Sequence, residues 1–151
     1  MQRGPAEGVT ATPARDVVAF RGHPMVRATH RTTIEVTTEE HLTENGDCIV
    51  GVGADKGCAG LDPRVRSSIQ DGKSRVRIKM VVAGEPFLIE AMGSPRLALS
   101  DPHEIVIRKS DFISDRTVAV RANVAAKDIP RRMVAELRDP ATVGYLEVEV
   151  P

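Results

Sequence analysis

The feature that most constrains the fold is a pattern of predicted elements that occurs twice along the chain. The segment VVAFRGHP at 17–24 aligns with LIEAMGSP at 88–95, and the helix-like DPRVRSSIQDG aligns with IPRRMVAELRDP. The strand-like SRVRIKMVV, in which apolar and charged residues alternate, aligns with VGYLEVEV near the C-terminus. Few residues are identical, but the order of elements and the phase of the apolar residues agree. The pattern predicts two duplicated β-β-β-α-β units, over residues 16–84 and 87–150.

Two such units predict one β-rich α+β domain with two short helices. They bury their apolar faces together if they share one curved, pseudo-twofold sheet or barrel against which both helices pack. Most connections are too short for a parallel crossover, which favours antiparallel or mixed strand pairing. Residues 1–15 are rich in Gly, Pro, Ala and Thr and have no periodicity, so we expect an N-terminal tail there. The remaining residues, 16–151, are expected to form a single domain.

Composition limits the classes of function. Lys plus Arg and Asp plus Glu each number 21, so no chain-wide positive charge attracts nucleic acid. No apolar run is long enough to span a membrane, and two cysteines are too few for a disulfide framework. We therefore expect a soluble cytoplasmic protein that does not bind a membrane and for which nucleic acid is a less favoured partner.

The histidines distinguish the first half of the chain from the second. A residue needed only for folding should have a counterpart of similar character in the other half, but His23 aligns with Ser94 and His30 with Asp101. The glycine-rich run GVGADKG also belongs to the first half alone. Both differences place the predicted site in the first half.

The residue types of that half suit binding or acid/base chemistry. His23 and His30 titrate near neutral pH and could transfer a proton, with Asp47 or Asp55 to orient or assist them. Backbone N–H groups of a glycine-rich loop that leads into a helix can hold an anion. The residues predicted to do so are Gly51, Gly53, Lys56 and Gly57. We therefore predict a domain that binds a small anionic molecule or acts on it as an enzyme.

Several alternatives stay open at this point. His23 and His30 are ligand types for a divalent metal, although no pair of histidines has a close motif spacing. They also suit ordinary hydrogen-bonded positions at strand ends, and the loop glycines suit turn geometry and close packing. Arg75, Arg77 and Lys79 project from one strand face and could contact RNA, but a chain with no Trp, one Tyr and three Phe lacks a stacking platform. A structural homodimer without catalysis, formed through an exposed strand edge, is the remaining alternative.

Three long blocks resemble an archaeal family known as a domain of unknown function, family 371. They are GHPMVRATHRTTIEVT, LTENGDCIVGVGADKG and IRKSDFI, and the similarity extends over about residues 18–150. The resemblance implies a stand-alone archaeal cytosolic domain and brings no established activity. It adds weight to polar residues within the blocks as ligand-binding candidates. Besides those already named, these are Thr32, Thr33, Glu35, Lys109 and Asp111.

Overall fold

The structure is a computed structural model that describes residues 12–42, 46–72 and 74–151. Within these ranges the chain forms eight strands and two short α-helices. The strands are β1 (Ala14–Arg21), β2 (Thr33–Thr37), β3 (Ile49–Gly51), β4 (Arg75–Val82), β5 (Glu85–Met92), β6 (Glu104–Arg108), β7 (Thr117–Ala119) and β8 (Val143–Val150). The helices are α1 (Pro63–Ile69) and α2 (Arg131–Leu137), and a single 3-10 turn precedes each of them, at Cys58–Gly60 and Ala126–Asp128.

The strands form two four-stranded sheets that enclose the core. The first sheet has the order β1-β8-β4-β5 and is antiparallel throughout. The second has the order β3-β2-β6-β7; its central pair is antiparallel and its two outer pairs are parallel. The mixed pairing agrees with the prediction, as does the β-rich α+β class.

The helix predicted from LDPRVRSSIQDG is confirmed as α1. The Asp62 side chain accepts a hydrogen bond from the backbone N–H of Arg64 at 2.8 Å, and Pro63 occupies the first helical turn. Val65 and Ile69 are fully buried on the face that packs against the sheet. A cap, a proline that needs no hydrogen-bond donor and an apolar stripe together explain why this segment is helical.

The same order of elements occurs in both halves of the chain. Each half runs strand, strand, strand, 3-10 turn, helix and strand, with lengths of 8, 5, 3, 3, 7 and 8 residues. Two residues match when they occupy the same place in corresponding elements or connections of the two halves.

The prediction of one sheet or barrel is wrong in detail, because the strands form two sheets that do not close into a barrel. Among the described residues, two isolated β-bridges connect the two sheets. One joins Arg21 to Val52, and the other joins Met92 to Val120. The chain between β1 and β2 is not extended throughout, and β2 begins only at Thr33. Ala28 adopts a left-handed conformation with φ 52°, which interrupts extended structure ahead of β2.

The predicted boundary between tail and domain lies near the start of β1, which begins at Ala14 rather than Asp16. The rest of the predicted tail, up to residue 11, lies outside the described residues. Within the described ranges, no helix has the length and apolar character needed to cross a membrane.

Candidate functional site

The polar face of the second sheet carries a buried carboxyl group. Ile34 and Val36 of β2 point into the core, so Glu35 points to the opposite face of the sheet. Glu35 is nevertheless only 4% exposed. Its partner across the antiparallel pair is Val106 of β6, and Glu104 lies further along the same face. A carboxyl group is thus placed at the centre of the sheet.

Three side chains surround this carboxyl group. Cys48 Sγ donates to Glu35 Oε1 at 3.6 Å, and Arg116 Nη1 lies 3.7 Å from Glu35 Oε2. The same Arg116 nitrogen donates to Glu104 Oε1 at 2.5 Å. One guanidinium therefore bridges two carboxyl groups. We call Glu35, Cys48, Glu104 and Arg116 the acid cluster.

The acid cluster changes the protonation of its members. Burial and, to a smaller extent, the charge of Glu104 raise the pKa of Glu35 to about 7, although Arg116 and the Cys48 hydrogen bond act in the opposite direction. Burial together with the Glu35 charge raises the pKa of the Cys48 thiol to about 12. Near neutral pH this arrangement exchanges a proton at Glu35 and keeps Cys48 a thiol.

The second cysteine is also poorly suited to nucleophilic chemistry. Cys58 is fully buried, and its Sγ donates to the carbonyl oxygen of Arg116 at 3.3 Å. Burial, with a smaller contribution from the charge of Asp101, raises the pKa of this thiol to about 12. Neither cysteine has the lowered pKa that a reactive thiol needs.

A second arginine adjoins the acid cluster. Arg108 Nε donates to the hydroxyl of Thr117 at 3.0 Å, and its guanidinium lies 4.9 Å from the centre of the Phe112 ring. No carboxylate among the described residues lies within salt-bridge distance of Arg108. Burial and the charge of Arg116 lower the pKa of Arg108 from its ordinary value.

The structure gives both predicted catalytic histidines a hydrogen bond that recurs in the other half. The backbone N–H of Met25 donates to His23 Nδ1 at 3.1 Å, and in the second half the N–H of Arg96 donates to Ser94 Oγ at the same distance. The N–H of Thr32 donates to His30 Nδ1 at 3.2 Å.

At the position that matches His30, Asp101 Oδ1 accepts from the N–H of His103 at 2.7 Å. Each of these side chains accepts from the N–H two residues later, so the halves differ in residue type here but not in this contact. A structural role accounts for the histidines, and their catalytic role stays a prediction.

The two predicted catalytic aspartates also make contacts that recur. The carbonyl oxygen of Asp47 accepts from the N–H groups of Thr29 and His30, as that of Asp115 does from residues 100 and 101. Asp55 pairs with β1: its N–H donates to the carbonyl of Ala19 at 2.9 Å and its Oδ1 accepts from the Ala19 N–H at 3.2 Å. Asn123 makes the same two bonds to Glu90 of β5.

Packing explains the glycines of the predicted anion loop. A Cβ on Gly51 would lie 2.0 Å from the Phe20 ring, and one on Gly57 would lie 2.5 Å from the Pro102 backbone. Gly53 has a left-handed φ of 58°. Close packing therefore accounts for Gly51 and Gly57, and backbone conformation accounts for Gly53.

Lys56 is held by a carboxylate rather than left to bind an external anion. Its Nζ donates to Asp16 Oδ1 at 3.0 Å, while the N–H of Asp62 donates to Asp16 Oδ2 at 2.8 Å. Burial opposes ionisation of Asp16, but these hydrogen bonds outweigh it and lower the pKa of Asp16. No hydrogen bond or ion pair among the described residues joins Lys56 to either histidine.

The candidates that the family resemblance suggested lie in different places. Thr33 and Glu35 lie on the polar face of the second sheet, and the Thr32 hydroxyl lies 3.4 Å from His30 Nδ1. Lys109 is exposed, and its N–H donates to the Thr32 carbonyl. Asp111 lines a cleft in the second half of the chain. In the described part of the chain, no group of three or more His, Cys, Asp or Glu side chains is arranged to hold a metal ion.

The second half contains a cleft of about 530 Å³ that sequence patterns did not indicate. Its apolar walls come from Met92, Ile113 and Val120, and two guanidinium groups come from Arg96 and Arg121. Arg121 Nε donates to Asp111 Oδ1 at 2.6 Å, and both side chains are about two-thirds exposed. Ser94 and Gly93 complete the lining. We call this the Arg121 cleft.

The matching region of the first half carries an ion pair of its own. Arg21 Nη2 donates to both carboxylate oxygens of Glu40, at 2.8 and 2.9 Å. These groups lie against Gly53, the residue that matches Arg121. Both positions are left-handed, with φ 58° at Gly53 and 55° at Arg121. The two halves thus differ in which position supplies the guanidinium group of this region.

The basic residues proposed for RNA contact lie on a face of mixed charge. Arg77 pairs with Glu90 at 3.5 Å, and Lys79 pairs with Glu147 at 3.7 Å. Arg75 begins the same strand. Acidic residues of neighbouring strands interrupt the basic stripe, so it does not extend across the sheet.

The fold and these sites define a class of protein: a β-rich α+β domain of two four-stranded sheets with a buried acid cluster and a basic cleft. The chain belongs to the family DUF371, a domain of unknown function, whose model matches residues 18–150. An uncharacterized protein of the archaeon Methanocaldococcus jannaschii is 37% identical over 123 residues, which cover 82% of this chain and 90% of that protein. The family membership predicted from the sequence blocks is confirmed.

Proposed function

We propose that this protein binds a small anionic molecule in the Arg121 cleft. The observation that carries the proposal is a cleft of ligand size, about 530 Å³, with two guanidinium groups beside apolar walls. A guanidinium binds a carboxylate or phosphate with paired hydrogen bonds, while Met92, Ile113 and Val120 favour an apolar group on the same molecule. The ligand is thus a carboxylate or phosphate with an apolar part.

The backbone of Arg121 supports this proposal. A left-handed φ on a residue with a Cβ costs of the order of 1 kcal/mol, and glycine takes this conformation at the matching position in the first half. The Arg121 side chain makes one exposed ion pair, which contributes little to stability. A strained arginine that stabilises the fold so little is better explained by binding.

We also propose that the two halves arose by internal duplication and are related by a pseudo-twofold axis. The equal element lengths and the recurring hydrogen bonds of His23 with Ser94 and of Asp55 with Asn123 support this origin. On this view the Arg121 cleft is where the halves diverged. Two unpaired thiols, Cys48 and Cys58, support a cytoplasmic location.

The experiment measures binding of defined anions to the full chain. Inorganic phosphate, phenyl phosphate and hexanoate are titrated by calorimetry and by thermal shift, since ligand binding to the native state raises the melting temperature. Phenyl phosphate is expected to bind more tightly than inorganic phosphate, because its ring can contact the apolar walls. Arg121→Gly removes the guanidinium from a position where glycine suits the backbone. We expect it to weaken binding about tenfold or more.

Two control variants separate this site from others. Arg64→Gln removes an exposed arginine on α1 and is expected to leave binding unchanged. His23→Ser combined with His30→Asp introduces the residue types of the second half and keeps the side-chain acceptors, so binding should persist. If no anion of the panel binds, or if Arg121→Gly binds as tightly as wild type, the proposal is refuted. Loss of binding in the histidine variant alone would favour the first-half site.

A further inference from the structure

The outer face of the first sheet is uncovered by any other element of the described residues. Along each of its strands one set of side chains points into the core, as Val76, Ile78 and Met80 do on β4, and the alternate set points outward. Six large apolar side chains are exposed in the described ranges, and four of them lie on this outer face. These four are Val17, Val143, Tyr145 and Leu88, which is 61% exposed. An antiparallel sheet can face water, but it rarely carries this share of exposed apolar residues.

Strand register arranges the outer face into three rows that cross all four strands. One row has alternating charges, one has apolar ends with an opposite-charge pair between them, and one is apolar throughout. In the strand order β1, β8, β4, β5 the rows are Arg15–Glu149–Arg77–Glu90, Val17–Glu147–Lys79–Leu88 and Ala19–Tyr145–Val81–Pro86.

Each row is complementary to itself when its order is reversed. A twofold axis parallel to the strands would place β1 of one copy over β5 of the other, and β8 over β4. Arg77 then faces Glu149 of the second copy, Lys79 faces Glu147, and Arg15 faces Glu90. The apolar positions face one another in the same way, Val17 over Leu88 among them. All twelve residues of the three rows meet either an opposite charge or an apolar partner.

Within one copy these charges are only loosely paired. Arg77 lies 3.5 Å from Glu90, Lys79 lies 3.7 Å from Glu147, and Arg15 lies 3.9 Å from Glu147. Exposed pairs of this length contribute little, so the side chains can also pair across an interface at small cost. The charged rows border a depression of about 320 Å³ that would receive side chains of the second copy.

The two edges of this sheet are less suited to association. Asp55 bonds to the Ala19 backbone at the β1 edge, and Asn123 bonds to the Glu90 backbone at the β5 edge. Backbone groups that a partner strand would need are therefore already used.

We propose that the outer face of the first sheet binds a second copy of this chain, face to face, about a twofold axis parallel to the strands. Four strands at their usual spacing and eight residues of length give a face of about 20 Å by 25 Å. The two copies would bury about 1,000 Å² in total, the lower limit for a specific interface. Aligned sheets pack at about 30° to each other, so pairs on the two central strands, such as Arg77 with Glu149, are displaced less than pairs on the outer strands.

The test uses sedimentation of the full chain over a range of concentrations, with charge reversals at that central pair. Arg77→Glu alone creates two like-charge contacts per dimer, and so does Glu149→Arg. Each variant alone is expected to raise the dimer dissociation constant at least about tenfold. A mixture of the two variants restores both contacts, and a heterodimer is expected with an affinity near that of wild type. Arg64→Glu, on α1, is the matched control and should dimerise as wild type does.

Each outcome of this experiment either supports or overturns the proposed dimer. Weakened homodimers together with a restored heterodimer support the proposed geometry, and circular dichroism of each variant verifies that it is folded. A wild-type chain that remains monomeric at about 1 mM overturns the proposal. A wild-type dimer that both reversals leave intact, or a mixture that shows no recovery, overturns it equally.

Discussion

Replacing Glu35 by Gln should make the protein more stable at alkaline pH and change its stability little at pH 4. Glu35 is 4% exposed, and burial raises its pKa from 4.5 to about 7 in the folded protein. Between these two values the folded state holds a proton that the unfolded state has released. Stability therefore falls as pH rises through this window and levels off above the folded-state pKa. Gln keeps the shape of the protonated side chain and has no charge to desolvate.

The size of the effect follows from the shift in pKa. The difference between the folded and unfolded values corresponds to about 3 kcal/mol, which is the penalty for an ionised Glu35 in the folded state after the attraction of Arg116 has been included. For a chain of this size that free energy corresponds to a change in melting temperature of about 10 °C.

The assay is urea unfolding of wild type and Glu35→Gln at several pH values between about 4 and 8.5. Because both proteins share every other titrating group, their difference in unfolding free energy reports on Glu35 together with its coupling to the rest of the acid cluster. The difference should grow by about 3 kcal/mol in favour of Gln between pH 4 and pH 8. A difference that stays constant with pH would refute the raised pKa. If Gln is the less stable form at pH 8, Arg116 stabilises the carboxylate more than burial penalises it.

Other predictions concern packing, strand edges and thiols. Gly51→Ala forces a methyl group into the Phe20 ring, and urea unfolding should show a loss of about 1–3 kcal/mol. Asp55→Ala removes the bond from the Ala19 N–H and should cost about 1 kcal/mol, whereas Asp55→Asn should be nearly neutral in the same assay. Cys58 is buried with a thiol pKa of about 12, so its alkylation by iodoacetamide at pH 8 should require unfolding and accelerate in urea.

Local signals in the sequence were reliable where the structure depends on neighbours along the chain. The helix α1 was predicted from Asp62, Pro63 and two apolar residues on one face, and each of them has the expected role. The strand β4 follows its alternation of charged and apolar residues. The arrangement of strands in two sheets was missed, because sheet closure depends on pairings between residues far apart in sequence.

The two halves have the same order of elements, as predicted, but their differences in residue type only partly indicate the sites. His23 and Ser94 differ in type, yet the structure gives both the same hydrogen bond. Arg121 was not among the predicted site residues. The sequence feature that indicates it is an arginine at a position where the other half has a glycine, Gly53. Glu35 was a candidate through the family resemblance alone, and its environment includes Arg116, which was not considered.

The sequence by itself determined the order and type of elements, the family, and which residues of the alternating strand β4 face the core, because capping, turn chemistry and apolar periodicity are local. Only the tertiary structure decided which polar groups share an environment. Burial and Glu104 of β6 raise the pKa of Glu35, whereas Arg116 in the segment before β7 lowers it. The Arg121 cleft combines the end of β5 with two later loops. These contacts join residues remote in sequence, and burial and Coulomb energies depend on distance in space, which a linear pattern does not contain.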